Sequence, residues 1–338
     1  MSDILLPTAV AWSGGQLRLL DQTRLPDTEI YLACPDAESV YLAIRRLAVR
    51  GAPAIGIAAA FGMVVGLESA TNLAGELQRR ADLLTSARPT AVNLKWAVDR
   101  MLRVAEATPT GDVIAALIRE AEMIREEDAR ACQLIGEAGL PLVRERPALL
   151  THCNAGSLAV SAYGTALAPV YRAHAEGIAV HVYVDETRPL LQGARLTAFE
   201  LQKSGVPMTL VTDSMAAHLM SRGQIQAVIV GADRVAANGD VANKIGTLGL
   251  AILCQHFELP FYVACPTSTI DLGTATGDDI VIEARDPAEV LGFAGVRVAP
   301  LGTPVINPAF DVTPAALVSA IVTERGVVDA RALGTLFD

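Results

Sequence analysis

The stretch ALLTHCNAGSLA, residues 148–159, decides the fold. It opens as a short unbroken apolar run and ends in a small-residue turn that holds a thiol and an amide. A continuous apolar run marks a strand buried on both faces, as in a parallel sheet. Four further runs share the pattern: GIAVHVYVDE (177–186), PMTLVTDS (207–214), QAVIVGAD (226–233) and PFYVACP (260–266). Helical stretches lie between them, among them LTAFELQKSG, SMAAHLMSRG and NKIGTLGLAILCQHFE. Strands alternating with helices spell βαβ units. The C-terminal part is therefore expected to be an α/β domain with a Rossmann-like parallel sheet. Ligands of such sheets bind at the carboxyl ends of the strands. Here those ends carry Cys153-Asn154, Asp185-Glu186, Asp213-Ser214, Asp233-Arg234 and Cys265.

Upstream the rhythm is different. Short strand-like pieces punctuated by SGG and LPDT give way to helices. Asp36 offers an N-cap to a helix with Val40, Ile44 and Leu47 on one face. Pro53 suits the first turn of the next helix. That helix, within GAPAIGIAAAFGMVVGL (51–67), is too short and too rich in Gly and Ala for a confident membrane span and reads as buried. The expected division is a smaller, mostly helical domain over 1–125 and a Rossmann-like domain over 126–338. Asn243-Lys244 is read as the opening of a helix.

The 338 residues carry 27 Lys and Arg against 37 Asp and Glu, a net charge of −10. That balance argues against nucleic acid as the main partner. Five widely spaced cysteines with no CxxC pair suggest a reduced, cytoplasmic protein. No GxGxxG follows a strand and no Walker A sequence occurs, so neither a dinucleotide nor a nucleoside triphosphate is expected. No HExxH or histidine cluster points to a metal. The expected cofactor is none and the expected metal is none.

Several positions suit an anion. In RGAP, Arg50 supplies a charged fork, Gly51 permits close approach, and Ala52 sits in a helix start with unpaired N–H groups. A solvated Arg in a turn competes with that reading. Arg88, before Pro89, has the same ambiguity. In DETRPLLQGARLT (185–197), Glu186, Arg188 and Arg195 are expected to form ion pairs, which leaves neutral Gln192 as the better ligand donor. Asp233 ends a very apolar strand, where burial favours a retained proton. Its rival roles are a partner for Arg234 and a helix cap. Asn243 and the point charge of Lys244 add anion-binding capacity. A cysteine is ordinarily a small buried hydrophobe, but Cys153 sits at a strand end. His152 does not suit it as a base, because strand neighbours face opposite ways.

In combination these motifs are familiar. VRGAPAIG, RPTAVNL, THCNAG, DETRPLLQGARLT, GADRVAANGDVANKIGT and NPAFDVTP occur in that order. The chain resembles the methylthioribose-1-phosphate isomerases, part of a larger family that includes the alpha, beta and delta subunits of initiation factor 2B. The resemblance runs from LLDQTRLP (19–26) to VTERGVV (322–328). It implies a homodimer acting in methionine salvage on a small sugar phosphate, with no nucleic acid or membrane partner. The reaction implied converts 5-methylthioribose 1-phosphate to 5-methylthioribulose 1-phosphate. The resemblance implies Cys153 and Asp233 as catalytic residues, and Arg50, Gly51, Ala52, Arg88, Gln192, Asn243 and Lys244 as substrate contacts. Leu190 stands where Trp is expected and Cys265 where Ala is common, both near the expected pocket. Two alternatives stay open. One is a sibling isomerase of 5-deoxyribose 1-phosphate or ribose 1,5-bisphosphate. The other is a non-catalytic binding protein like the regulatory subunits.

Overall fold

A computed structural model describes residues 4–88, 91–293 and 295–337, without the side chain of Thr110. The loop expected at Pro89 and Thr90 lies outside the described residues. The N-terminal meander is antiparallel: β1 (Val10–Ser13), β2 (Gln16–Leu20) and β3 (Tyr31–Cys34). Asp36 caps α1 (Ala37–Arg45) by accepting from Ser39 N at 2.8 Å, while Ser39 Oγ receives Asp36 N at 3.3 Å. This reciprocal box satisfies two otherwise free amides.

α2 (Ala52–Val64) is the axis of the helical region, and nearly every residue on it is buried. Around it pack α1, α3 (Leu73–Ser86), α4 (Val92–Ala107) and α5 (Val113–Glu145). The stretch Ala52–Ser69 is long and apolar enough to cross a membrane, yet 78% of it is buried inside the protein. α5 runs through position 125 without interruption. Ile124 belongs to the core around α2, and Ile135 and Val143 to the core beneath the main sheet. One rigid helix thus serves both halves.

The main sheet follows, with β4 (Ala148–Thr151), α6 (Ala168–Ala175), β5 (His181–Asp185), α7 (Ala198–Ser204), β6 (Met208–Val211), α8 (Ala216–Ser221) and β7 (Ala227–Val230). β8 (Arg234–Ala236), β9 (Val241–Lys244), α9 (Thr247–His256), β10 (Phe261–Ala264), β11 (Ile270–Asp271) and α10 (Ala288–Leu291) come next. A hairpin of β12 (Gly292–Phe293) and β13 (Val296–Arg297), then β14 (Phe310–Thr313), β15 (Ala320–Thr323) and β16 (Gly326–Val328) complete the order. The seven-stranded sheet has the order β16-β15-β10-β7-β4-β5-β6, parallel except for the β15–β16 edge. The expected α/β class with its Rossmann-like sheet is what the chain adopts. From β4 the chain proceeds outward to β5 and β6, then returns to place β7 on the other side of β4. The switch point therefore lies between β4 and β7, where a crevice opens at the strand ends.

A second sheet, β11-β8-β9-β14, corrects one expectation. Asn243 and Lys244 do not open a helix. They end β9, opposite Asp311 and Phe310 of β14, and the helix begins only at Thr247. The turn at Asn238–Gly239 folds β8 back onto β9, and that hairpin takes up the residues the apolar pattern had assigned to the helix.

Candidate active site

The two strands flanking the switch point deliver Cys153 and Asp233. β4 stops at Thr151, whose hydroxyl donates to Ile229 O at 2.8 Å. His152 is buried, its Nδ1 3.0 Å from Asp185 Oδ2 and its Nε2 2.9 Å from Ile245 O. Cys153 then takes a φ of 61°, the left-handed region that costs an L-residue about 1–2 kcal/mol. Two threonines hold this conformation. Thr187 Oγ1 accepts Cys153 N at 2.8 Å, and Thr197 Oγ1 donates to Cys153 O at 2.6 Å. His152 is thus turned into the protein and Cys153 lines the cavity. Strain held in place at a ligand-facing residue is typical of functional positions.

Asp233 follows β7 through Gly231 and Ala232, and its amide donates to Ala242 O at 2.9 Å. Its carboxyl has no hydrogen-bond partner among the described residues. Arg234 turns aside, with its guanidinium 3.5 Å from Asp271, so Asp233 is neither its ion-pair partner nor a helix cap. Burial raises the Asp233 pKa, while Lys244, Arg88 and Arg50 pull it down, and the net shift is upward. Lys244 is the converse case. Burial lowers its pKa and outweighs the opposing pull of Cys153 and Asp233.

A cavity of about 290 Å³ brings together Arg50, Gly51, Arg88, Cys153, Gln192, Asp233 and Lys244. An adjoining recess carries Ala52 and Asn243 and also reaches Cys153 and Asp233. All nine expected residues therefore meet in one place. Gly51 precedes α2 with a φ of 96°, and a Cβ there would meet Ala159 Cα at 2.5 Å. It gives α2 no side-chain cap, so the first-turn amides stay free for an anion. Arg50 is held by Asn154, which accepts Nη1 at Oδ1 and Nη2 at its carbonyl oxygen, the latter at 2.6 Å. Arg88 lies 2.7 Å from Glu283. Lys244 Nζ donates to Ala309 O at 3.0 Å and sits 4.8 Å from the centre of the Phe310 ring. Asn243 Nδ2 donates to Thr247 Oγ1 at 3.0 Å. Gln192 is buried, and its Oε1 has no partner.

Three expectations about neighbouring residues change. The ion pairs expected of Glu186, Arg188 and Arg195 are absent among the described residues. Arg188 donates instead to the carbonyls of Pro189, Gly292 and Val290, and Arg195 to those of Leu190 and Gln22. Cys265 is buried and lines neither recess, whereas Leu190 does line the cavity. Arg285, Gln22, Arg46 and Phe310 line it too and had not been singled out. Gln22 lies within LLDQTRLP and Phe310 within NPAFDVTP, so the motifs held a signal for both. Arg285 comes from a loop with no periodicity to read. His152, Asp185 and Asp213 place their ligand atoms within 4.8 Å of one another. Both ring nitrogens are engaged, however, and Asp213 accepts Thr187 N and Arg188 N. The group acts as a bracket between strand ends.

A family model described as the initiation factor 2 subunit family matches residues 48–330. The chain belongs to this family. Within it, the chain is 56% identical over 335 residues to a methylthioribose-1-phosphate isomerase of Chloroflexus aurantiacus, covering 97% of this chain and 96% of the relative. It is 53% identical to a 5-deoxyribose 1-phosphate isomerase of Moorella thermoacetica, covering 94% of this chain and 93% of that one. Among solved structures it superimposes on 5-methylthioribose 1-phosphate isomerase from Pyrococcus horikoshii with a TM-score of 0.91. That pair is 41% identical, with 99% of this chain and 96% of the other covered.

Proposed function

We propose that this protein is an aldose–ketose isomerase that converts 5-methylthioribose 1-phosphate to 5-methylthioribulose 1-phosphate, a step of methionine salvage. The observation that carries the reading is one cavity holding a carboxyl with no hydrogen-bond partner among the described residues and a pKa pushed upward by burial, a strained cysteine and several cations. The family also holds regulatory binding proteins, and the pairing of Cys153 with Asp233 favours catalysis over binding alone.

The substrate sets the chemistry. Its anomeric carbon bears the phosphate, so the ring does not open to a free aldehyde unaided. Asp233 in its neutral form donates a proton to the ring oxygen. Hydrogen then passes from C2 to C1 while the C2 hydroxyl gives its proton back to the Asp233 carboxylate and becomes the ketone. Cys153 either carries it as a proton through an enolate or stabilises the transition state of a hydride shift. Arg50, the amides after Gly51, Arg88 and Lys244 hold the phosphate and keep it from leaving. Gln192 and Asn243 take sugar hydroxyls. Running the reaction in heavy water separates the two routes, since deuterium at C1 of the product requires the enolate.

One observation favours a second substrate. Leu190 lines the cavity, and a relative of comparable identity is named for the 5-deoxy sugar. A pocket distinguishes substrates by only about 1–3 kcal/mol per methylene-sized group. We therefore expect turnover of 5-deoxyribose 1-phosphate as well. Comparing kcat/KM on both sugars and on ribose 1,5-bisphosphate tests the substrate assignment, which fails if neither 5-substituted sugar is turned over. The homodimer belongs to the same proposal and is checked by light scattering.

A further inference from the structure

Glu200 on α7 is a carboxylate with no solvent exposure, and it lines neither recess of the cavity. Its two oxygens are fully committed. Oε1 accepts the Asn154 side-chain amide, while Oε2 accepts Ser157 N at 2.6 Å, Ser157 Oγ at 2.8 Å and Tyr171 OH at 3.0 Å. Room for this arrangement is made by Gly156, where a Cβ would meet Glu200 Oε1 at 2.3 Å. Asn154, itself buried, turns its NH2 toward Glu200 and its Oδ1 toward Arg50. An amide has two faces of opposite character, and what fixes its direction here is the Glu200 acceptor, with Thr197 Oγ1 beside it at 3.2 Å, against the Arg50 donor on the other side. We propose that Glu200 is the positioning residue that orients the Asn154 amide and, through it, the Arg50 guanidinium aimed at the substrate phosphate. The role assigned to Arg50 rests on the isomerase reading; the orientation itself does not.

Glutamine at this position shows why the charge matters. Ser157 N must meet an oxygen, so the new NH2 group would face Asn154. Asn154 would then turn over to present its oxygen, and its NH2 would face Arg50. Donor against donor costs the guanidinium its side-chain acceptor and leaves it held by the Asn154 carbonyl alone.

The test measures KM and kcat for wild type, Glu200→Gln, Arg50→Ala and the double variant, with inorganic phosphate affinity by calorimetry and Tm alongside. Glu200→Gln is expected to raise KM, and the phosphate Kd, about tenfold or more with a smaller change in kcat. In the Arg50→Ala background the same substitution should add less than about twofold, since its effect passes through Arg50. A purely structural Glu200 would lower Tm and give effects that multiply in the double variant. That result overturns the proposal, as does a phosphate Kd within about twofold of wild type. If Glu200→Gln does not fold, Asn154→Ala leaves Glu200 in place and must show the same rise and the same coupling to Arg50. If wild type turns over no sugar phosphate, the isomerase reading fails, and phosphate affinity alone still decides the role of Glu200.

Discussion

Two regions of the α/β half each draw a carboxyl out of water, Glu200 completely and Asp233 in part, and their surroundings are opposite. At the end of β7, Asp233 faces a cavity, meets three cations at a distance and has no hydrogen-bond donor of its own among the described residues. At the start of α7, Glu200 is sealed away and receives four donors. Burial raises both pKa values. A raised pKa alone therefore does not identify the acid that reacts. What separates them is unfinished bonding. Glu200 is satisfied and serves to orient, whereas Asp233 is left with capacity for a ligand.

The sharpest way to break this contrast is to replace the Asp233 carboxyl by an amide, as Glu200→Gln does for its counterpart. Asp233→Asn should lower kcat by about 1,000-fold without lowering Tm, because the side chain makes no hydrogen bond among the described residues. A kcat within tenfold of wild type would return Asp233 to the ranks of buried acids. Cys153→Ser should lower kcat by about 100-fold. It leaves the backbone hold of Thr187 and Thr197 untouched, so circular dichroism and Tm should not move. Arg88→Ala should raise KM about tenfold and affect kcat less, and a fall in kcat with KM unchanged would place the Arg88 contact in the transition state alone.

The smallest effect is a linkage. The folded pKa of Asp233 lies above its unfolded value. The folded state therefore binds the proton more tightly, and the stability this gives is complete below the unfolded pKa. It is lost as pH rises through the folded pKa. Asp233→Asn is free of that loss, so its Tm relative to wild type should rise with pH between the unfolded and the folded value and level off above it. A gap that narrows with pH would reverse the sign of the shift.

The architecture and the two strand ends that line the cavity are legible in the sequence for a plain reason. Buried parallel strands are written as apolar runs, and their ends are where polarity resumes, so Cys153 and Asp233 stand out. Whether two such ends are neighbours depends on strand order, and β4 beside β7 is a tertiary fact. Lys244 stands out for its charge but reads as helical, since β9 ends only three residues before the helix that begins at Thr247. Arg285 was missed because the loop that delivers it has no period. Glu200 was missed for another reason. It lies within an amphipathic helix whose buried face also carries Leu201 and Ser204, and a lone acid in such a pattern reads as solvated until its partners are seen.

The central claim is tested most directly by following 5-methylthioribose 1-phosphate with wild-type protein and with Asp233→Asn by phosphorus and proton NMR. The account predicts that wild type forms the ketose with its phosphate still esterified, and that the variant does so about 1,000-fold more slowly. No ketose from wild type, release of inorganic phosphate, or an undiminished variant would contradict it.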